Sequence, residues 1–247
     1  MRTILITGAS SGLGEALALA YAGAGSRLIL MARRQSKLAS VAASCSKLGA
    51  DVVVRTIDVT DRAAMAEALE DLAPQFDIDL VIANAGTSGA LVDRGGEVDP
   101  EVWVRTVNVD GVLNTIEPLI PHYRTRGRGQ IAIMSSLASY RGLPGAGAYC
   151  ASKAFVRVWG EALRLDLIAS GVSVSVICPG FVATPLTEAN PFPMPFIVQA
   201  DRAAAVIKAG LDRRKALITF PWPMVWLVRL MACLPPVLAD RLLRRSS

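Results

Sequence analysis

A tyrosine and a lysine stand four residues apart in the stretch Tyr149-Cys150-Ala151-Ser152-Lys153. Positions i and i+4 share one face of a helix, so the phenol and the ammonium can point into one site. A neighbouring cation favours the charged form of an acid, and we expect Lys153 to lower the pKa of Tyr149 from its usual ~10. Such a tyrosine can exchange a proton with a carbonyl or alcohol oxygen near neutral pH. The same spacing also occurs on ordinary helix surfaces, so the other motifs must decide between the two interpretations.

The start of the chain has the pattern of a nucleotide-binding turn. Residues 2–7 form a short apolar, partly β-branched run that is typical of a buried parallel strand. A helical stretch runs from Glu15 to Ala24, and between the two lies a glycine-rich segment made of Gly8, Ala9, Ser10, Ser11, Gly12, Leu13 and Gly14. Such glycines let the backbone approach a pyrophosphate at the helix N-terminus. Their spacing is G-x-x-x-G-x-G rather than the commoner G-x-G-x-x-G, and a glycine-rich turn without a ligand is the alternative.

Strand-like and helical segments alternate along the chain. The strand-like runs are Thr3–Thr7, Arg27–Met31, Val52–Ile57, Leu80–Ala83, Gln130–Met134, Val172–Ile177 and Ala216–Phe220. The main helical stretches between them are Gln35–Leu48, Arg62–Ala73, Ser152–Ala169 and Asp201–Leu211. This alternation predicts an α/β fold with a doubly wound parallel sheet of the Rossmann type, in three α/β/α layers. The length suits a single domain, 1–247, and ligands of such sheets bind outside the carboxyl ends of the strands.

With these elements in place, the chain resembles the classical short-chain dehydrogenase/reductase family over nearly its whole length. Residues 7–14 resemble the family's cofactor-binding turn, and Asp58-Val59 resembles its adenine-contacting pair. Asn84-Ala85-Gly86 is similar to the family's Asn-Asn-Ala-Gly motif, with Ala83 in place of the first asparagine. The turn that closes over the nicotinamide is matched by Pro179, Gly180, Val182 and Thr184.

The resemblance also implies a catalytic set, composed of Asn108, Ser136, Tyr149 and Lys153. By this resemblance, Tyr149 is the general acid in ketone reduction and the general base in alcohol oxidation, and Ser136 positions the substrate oxygen. Lys153 holds the nicotinamide ribose hydroxyls and is, like Tyr149, a cofactor contact, and Asn108 holds a water in the proton relay. Ser135 is the second serine candidate, but Ser136 keeps the family's spacing to Tyr149.

The residues after the second strand bear on the cofactor. In dinucleotide-binding folds an acidic residue about 20 positions past the glycines holds the ribose 2′-hydroxyl of NAD. Here the strand ends in Arg33-Arg34 without a carboxylate, and arginine pairs well with phosphate. We therefore predict NADP(H), with Arg33 on the 2′-phosphate and Arg34 assisting. The alternatives are NAD(H) as cofactor and a merely solvated arginine pair.

Cysteine and histidine usage excludes other chemistries. The four cysteines are scattered without metal or disulfide spacing, and they are Cys45, Cys150, Cys178 and Cys233. His122 is the only histidine, so no metal site is expected and a Ser-His triad is disfavoured. The glycine-rich turn begins too early for a signal peptide, and a cytoplasmic location is the default expectation.

Two further segments bear on substrate and partners. Residues 184–200 are expected to form the loop over the substrate; they carry Leu186, Phe192, Met194, Phe196 and Ile197 with one charge, Glu188. This composition suits a lipophilic substrate, although the same side chains could pack the loop onto the protein. The apolar tail, residues 221–247, is basic. From Arg213 onward there are seven Lys or Arg and one acid, a net charge of +6, whereas residues 1–212 have a net charge of −1. The net charge of +5 of the whole chain therefore comes from its C-terminal part.

The tail has three interpretations. Basic residues beside an apolar segment that contains Trp222 and Trp226 can indicate a helix that lies in a membrane interface. This apolar segment is too short to span a bilayer, which needs ~20 apolar residues. The alternatives are core packing and a subunit contact.

The sequence therefore predicts an NADP(H)-dependent oxidoreductase for a small carbonyl or alcohol. A homo-dimer or homo-tetramer is expected, with no nucleic-acid partner. A catalytically silent dinucleotide-binding protein is the alternative, and the complete Asn-Ser-Tyr-Lys set argues against it. A sugar-nucleotide epimerase of the extended branch usually has a larger C-terminal part.

Overall fold

A computed structural model of the chain describes residues 1–88, 99–188 and 193–239. Within these ranges seven parallel strands form one sheet, in the order β3-β2-β1-β4-β5-β6-β9. Their bounds are β1 Arg2–Thr7, β2 Ser26–Ala32, β3 Asp51–Thr56, β4 Leu80–Ala83, β5 Gly129–Met134, β6 Val172–Pro179 and β9 Leu217–Phe220. Two short strands, β7 Val182–Ala183 and β8 Val198–Gln199, pair separately. All seven strand-like runs of the sequence thus occur as strands, and the predicted doubly wound sheet is confirmed.

Helices cover both faces of the sheet. They are α1 Gly12–Tyr21, α2 Gln35–Lys47, α3 Arg62–Phe76, α4 Pro100–Arg105, α5 Gly111–Ile116, α6 Ile120–Arg126, α7 Gly147–Leu167, α8 Pro185–Glu188, α9 Ala200–Asp212 and α10 Trp222–Cys233. One buried cluster joins the sheet to α1, α2 and α9, and a second joins it to α3, α5, α6 and α7. Ile4 and Ile6 of β1 belong to the first cluster and Leu5 to the second, as expected for a strand buried on both sides.

The start of α7 differs from the sequence prediction. The helix begins at Gly147, five residues before the predicted start at Ser152, and it continues to Leu167. Two glycines, Gly145 and Gly147, flank the start and favour a loop in a propensity-based prediction. Of these two glycines, only Gly145 has a positive φ, of 70°. The earlier start places Tyr149 and Lys153 in the same helix, which their spacing requires if they are to share a face.

The strand order reverses between β1 and β4, and this opens a crevice at the carboxyl ends of the strands. Thr7 and Asn84 connect the two sides: the Asn84 side chain donates to the Thr7 carbonyl at 3.0 Å, and Thr7 Oγ1 accepts from the backbone N–H groups of Asn84 and Ala85. Gly14 of α1 packs directly on this connection. A β-carbon at Gly14 would lie 2.3 Å from the Gly8 carbonyl oxygen and 2.6 Å from Asn84 Nδ2. The first turn of α1 therefore approaches the crevice closely only because residue 14 has no side chain.

This close approach generates a prediction for Gly14→Ala. The added methyl overlaps backbone that cannot move freely, and overpacking of this kind typically costs about 1–3 kcal/mol. Gly23→Ala is the matched control, because nothing lies within 4 Å of a β-carbon at Gly23. Denaturation in urea should show a clear loss of stability for Gly14→Ala and little change for Gly23→Ala. Equal stability of the two variants would contradict the packing described here.

Candidate active site

The predicted catalytic residues lie at the carboxyl edge of the sheet on three different elements. Ser136 follows β5, Tyr149 and Lys153 come from the first two turns of α7, and Asn108 lies in a π-helical turn, Thr106–Asp110, between α4 and α5. A π-helical turn inserts an extra residue into a helix and is frequent at functional sites. Here it directs Asn108 into the protein interior, where the side chain is fully buried.

Asn108 joins the segment after β4 to α7. Its side-chain nitrogen donates to the Thr87 carbonyl at 2.9 Å and to Ser152 Oγ at 3.0 Å, and its oxygen accepts from the Thr87 N–H at 2.8 Å. Ser152 Oγ in turn donates to the Tyr149 carbonyl at 2.7 Å. Ser152 is not among the site residues predicted from the sequence, although its place three residues after Tyr149 gives its hydroxyl this backbone partner. Asn108 thus positions α7, and its contact to a water stays a prediction.

Lys153 is buried, and its ammonium reaches the end of β5. The Nζ atom donates to the Met134 carbonyl at 3.0 Å and lies 5.9 Å from the centre of the Tyr149 ring. A β-carbon at Gly86 would lie 3.3 Å from this Nζ and 3.2 Å from Asn108 Oδ1, so the two side chains converge on the backbone after β4. Burial lowers the pKa of Lys153 to about 8.

The pKa of Tyr149 shifts in the direction opposite to the one expected. Burial raises the pKa of the phenol, a hydrogen bond with the Ser136 side chain opposes this, and the nearby Cys150 thiol raises it further. The expectation that Lys153 lowers the pKa of this tyrosine is therefore wrong for the protein alone. The Lys153 ammonium lies over the Tyr149 ring and is itself poorly solvated. The loss of water around the phenol affects the pKa of Tyr149 more than this neighbouring charge does.

The two adjacent serines have separate partners. Ser136 precedes a short 3-10 helix, Leu137–Tyr140, and its Oγ accepts from the Ala138 N–H at 3.1 Å. Ser135 is buried, and its hydroxyl donates to the Lys153 carbonyl at 2.8 Å. Ser136 also hydrogen-bonds the Tyr149 side chain, whereas Ser135 holds the α7 backbone against the end of β5.

The glycine-rich turn leaves the N-terminus of α1 open. Gly8 and Gly12 have φ values of 68° and 58°, which favour glycine. Ser11 stands at the N-cap of α1 without a side-chain cap hydrogen bond, so the first N–H groups of the helix remain available to an anion. Leu13 packs on the core below. These features fit a dinucleotide: residues 8–14 would hold its pyrophosphate, and a side chain at Gly8 would meet the Ala85 backbone at 2.8 Å.

The two arginines after β2 lie in different environments. Arg34 Nη2 donates to Ser11 Oγ at 2.6 Å and to Ser10 Oγ at 3.1 Å. Arg33 lies 3.6 Å from an Asp58 carboxylate oxygen and 5.4 Å from the ring centre of Trp103. Sequence reasoning missed Trp103, which is distant in the chain from the arginines.

The Asp58-Val59 pair is held by its neighbours. Asp58 Oδ1 accepts from both the backbone N–H and the hydroxyl of Thr60. Val59 is buried, and its carbonyl accepts from the Asn114 side chain at 3.0 Å. The pair therefore lies at a fixed position beyond β3, beside Arg33.

The turn after β6 contacts the glycine-rich turn. The Gly180 N–H donates to the Phe220 carbonyl at 2.7 Å, Val182 is buried in the core, and Pro179 ends β6. Thr184 lies against Gly12, since a β-carbon there would be 3.2 Å from Thr184 Cβ. The structure thus brings the start of the predicted substrate loop beside the glycine-rich turn. Of the loop's apolar residues, Phe192 lies outside the described residues.

The buried ammonium of Lys153 generates a prediction about stability against pH. The usual pKa of 10.5 applies to the unfolded chain, and about 8 to the folded protein. Between these values the unfolded chain binds more protons, so the contribution of Lys153 makes stability rise with pH through this window, by at most about 3 kcal/mol. Below pH ~8 both states carry the proton and the penalty is complete.

Urea denaturation of the wild type and of Lys153→Met between pH ~7 and ~11 checks this expectation. The difference between the two pH profiles isolates Lys153, because all other titrating groups are shared. The rise should be smaller in the variant, and parallel profiles would contradict a lowered pKa.

Comparison with known proteins agrees with this geometry. A family model described as short chain dehydrogenase matches residues 2–192. An uncharacterized oxidoreductase of Myxococcus xanthus is 39% identical over 245 residues, which cover 99% of this chain and 97% of that protein. Two solved structures also align over most of the chain. A short-chain dehydrogenase from Sphingobium yanoikuyae in complex with NADPH has a TM-score of 0.81 at 26% identity, covering 96% of this chain and 97% of its own.

The second structure is a short-chain dehydrogenase/reductase from Burkholderia phymatum in complex with NAD. It has a TM-score of 0.83 at 25% identity and covers 93% of this chain and 92% of its own. Fold, family match and relatives together establish that the chain belongs to the classical short-chain dehydrogenase/reductase family, as an oxidoreductase that acts on CH–OH groups with a nicotinamide dinucleotide.

Proposed function

We propose that this protein interconverts a carbonyl and a secondary alcohol of a lipophilic small molecule with NADP(H). The observation that carries the proposal is the meeting of Ser136, Tyr149 and Lys153 at the edge of the crevice, beside a turn that fits a pyrophosphate. A bound nicotinamide dinucleotide would supply or accept the hydride. The protein's own residues would orient the substrate and move the proton.

Proton transfer falls to Tyr149. Its raised pKa keeps the phenol protonated at neutral pH, which suits donation to a ketone oxygen as the alkoxide develops. Ser136 would hydrogen-bond the same oxygen and fix its direction. Lys153, with a pKa of about 8, still carries its proton for the most part at neutral pH, and its charge would stabilise the phenolate that Tyr149 leaves behind. Lys153 would also hold the ribose hydroxyls.

Preference for NADP(H) is supported by Arg34 as well as Arg33. The Arg34 guanidinium already lies on the two serines of the glycine-rich turn, next to the start of α1, where phosphate groups are favoured. Arg33 is half-exposed, and its contact to Asp58 is long, at 3.6 Å. Exposed ion pairs of this kind contribute ~0–1 kcal/mol, so redirecting Arg33 to a 2′-phosphate would cost little.

A lipophilic substrate is supported by the loop between β7 and α9. Phe196 and Ile197 are 55% and 42% exposed, so these side chains do not pack the loop onto the core. Phe196 also has a φ of 58°, a strained conformation for a bulky residue that is more common at functional sites. We therefore assign residues 184–200 to substrate contact.

A homo-oligomer is supported by an exposed apolar stripe on α7. Phe155, Val158 and Leu165 are 46%, 54% and 62% exposed, and their spacing places them close to one side of the helix. Such a stripe fits a two-fold contact between copies.

Tyr149→Phe tests the proton-transfer role. The substitution removes the hydroxyl and leaves the ring, so turnover should fall by roughly 10²–10⁴-fold while NADPH affinity changes little. Tyr140→Phe is the matched control, since this tyrosine lies close behind Ser136 in the chain and its hydroxyl is bonded to Arg229. Steady-state rates and NADPH fluorescence titration give the two readouts. Near-normal turnover of Tyr149→Phe on an established substrate would refute the assignment.

Arg34→Ala and Arg33→Ala test the cofactor preference. A hydrogen bond to a charged group is worth ~1.5–3 kcal/mol net, so each variant should weaken NADPH binding by roughly 10–150-fold and leave NADH binding nearly unchanged. Arg27→Ala serves as control, because Arg27 pairs with Asp51 where β2 and β3 begin, at the opposite edge of the sheet. If the wild type prefers NADH, or if both cofactors weaken equally, the 2′-phosphate contact is wrong.

A further inference from the structure

Helix α10 is apolar around its whole circumference. Of its twelve residues, WPMVWLVRLMAC, only Arg229 is charged. A helix with this composition is normally covered on all sides. Among the residues that the structure describes, the chain covers one face of α10 and leaves the opposite face exposed.

The inner face of α10 packs on the elements that carry the active site. Met224 and Val225 are buried in a cluster with Leu137, which directly follows Ser136. The Met224 sulfur lies so close to Gly180 that a β-carbon there would be 2.6 Å away. Arg141 also donates to the Met231 carbonyl at 3.1 Å, near the C-terminus of the helix. These contacts fix the rotation of α10 and therefore determine which side chains point outward.

The outer face presents large apolar side chains at intervals of four residues. Trp222, Trp226 and Leu230 are 75%, 69% and 61% exposed. Residues four apart lie on the same side of a helix, so they form one continuous stripe, and Leu227 beside it is also exposed. We call these four residues the outer face of α10. Two tryptophans on it are notable, because Trp is enriched at membrane–water interfaces.

The sequence on either side of the outer face is rich in positive charge. Arg229 is exposed on the helix, and Arg213, Arg214 and Lys215 stand in the turn before β9. Three further arginines and one aspartate follow in residues 240–247, which lie outside the described residues. An apolar face beside basic residues has the composition of a helix that lies in the interface of an anionic bilayer. In the described ranges, moreover, no helix is long and apolar enough to cross a bilayer.

We propose that the outer face of α10 docks onto an anionic lipid surface, with Trp222, Trp226 and Leu230 entering the interface. A second copy of the chain fits this face less well, because it would pair two faces that each carry the exposed Arg229 and continue into basic sequence. The proposal does not depend on the substrate or the cofactor.

Co-sedimentation with vesicles tests the proposal without any activity measurement. The full chain should bind vesicles of equal parts phosphatidylcholine and phosphatidylserine and bind phosphatidylcholine vesicles much less. Raising the salt from ~0.1 M to ~1 M shortens the Debye length from ~10 Å to ~3 Å and should weaken binding. Replacing Arg241, Arg244 and Arg245 together by Gln should weaken it by about fivefold for each arginine that lies near the surface.

Leu230→Ser tests the face itself, with Leu48→Ser as the matched control. Both leucines are solvent-exposed, at 61% and 54%, and Leu48 follows α2, far along the chain from α10. Leu230→Ser should weaken vesicle binding by roughly tenfold, and Trp226→Ser with Leu230→Ser by more, while Leu48→Ser binds like the wild type. Circular dichroism and thermal melting confirm that each variant is folded.

Two results would overturn the proposal. One is a wild type that ignores anionic vesicles at low salt, and the other is equal binding by Leu230→Ser and Leu48→Ser. Light scattering distinguishes the competing occupant, because a subunit contact at this face would make Leu230→Ser dissociate into a smaller assembly.

Discussion

Lys153 carries an ammonium into the protein interior, and its hydrogen bond to the Met134 carbonyl ties the start of α7 to the carboxyl end of β5. An unpaired buried charge would be strongly destabilising, so the helix cannot slide along the sheet without losing this contact. Ser135 adds a second tie to the Lys153 backbone, and Asn108 a third through Ser152. The position of Tyr149 relative to Ser136 follows from these three connections.

The same burial sets the protonation of the two groups. Burial disfavours the charged form of each, so it moves the pKa of the phenol up and that of the ammonium down. The two shifts leave a neutral phenol beside an ammonium that holds its proton only moderately well. In the proposed reaction, however, loss of the phenol proton would leave a phenolate beside an ammonium, and the attraction between the two would be strongest in that state. By this argument Lys153 would affect the product of the proposed proton transfer more than the resting tyrosine.

Much of the fold was predictable because it is determined by local sequence patterns. The seven strands, the glycine-rich turn and the spacing of Ser136, Tyr149 and Lys153 each occupy a short stretch of sequence. The remaining features depend on contacts between distant segments. Ser152 becomes important only when Asn108 reaches it from another helix. The first turns of α7 form despite the low helix propensity of Gly147 because Cys150, Ser152 and Lys153 are buried against the rest of the protein. The pKa of Tyr149 was predicted in the wrong direction because a sequence shows the neighbouring lysine but not the depth of burial.

The tail shows a different limit. Because α10 is apolar on every side, its sequence has no polar face from which an orientation could be inferred. Tertiary contacts supply that orientation: Leu137 and Gly180 accommodate Met224 and Val225, and the two tryptophans consequently point outward. The side chains that anchor α10 are therefore those that border Leu137, next to Ser136, and the turn after β6. The exposed stripe is a consequence of active-site packing, since rotating it inward would remove Met224 and Val225 from the cluster with Leu137.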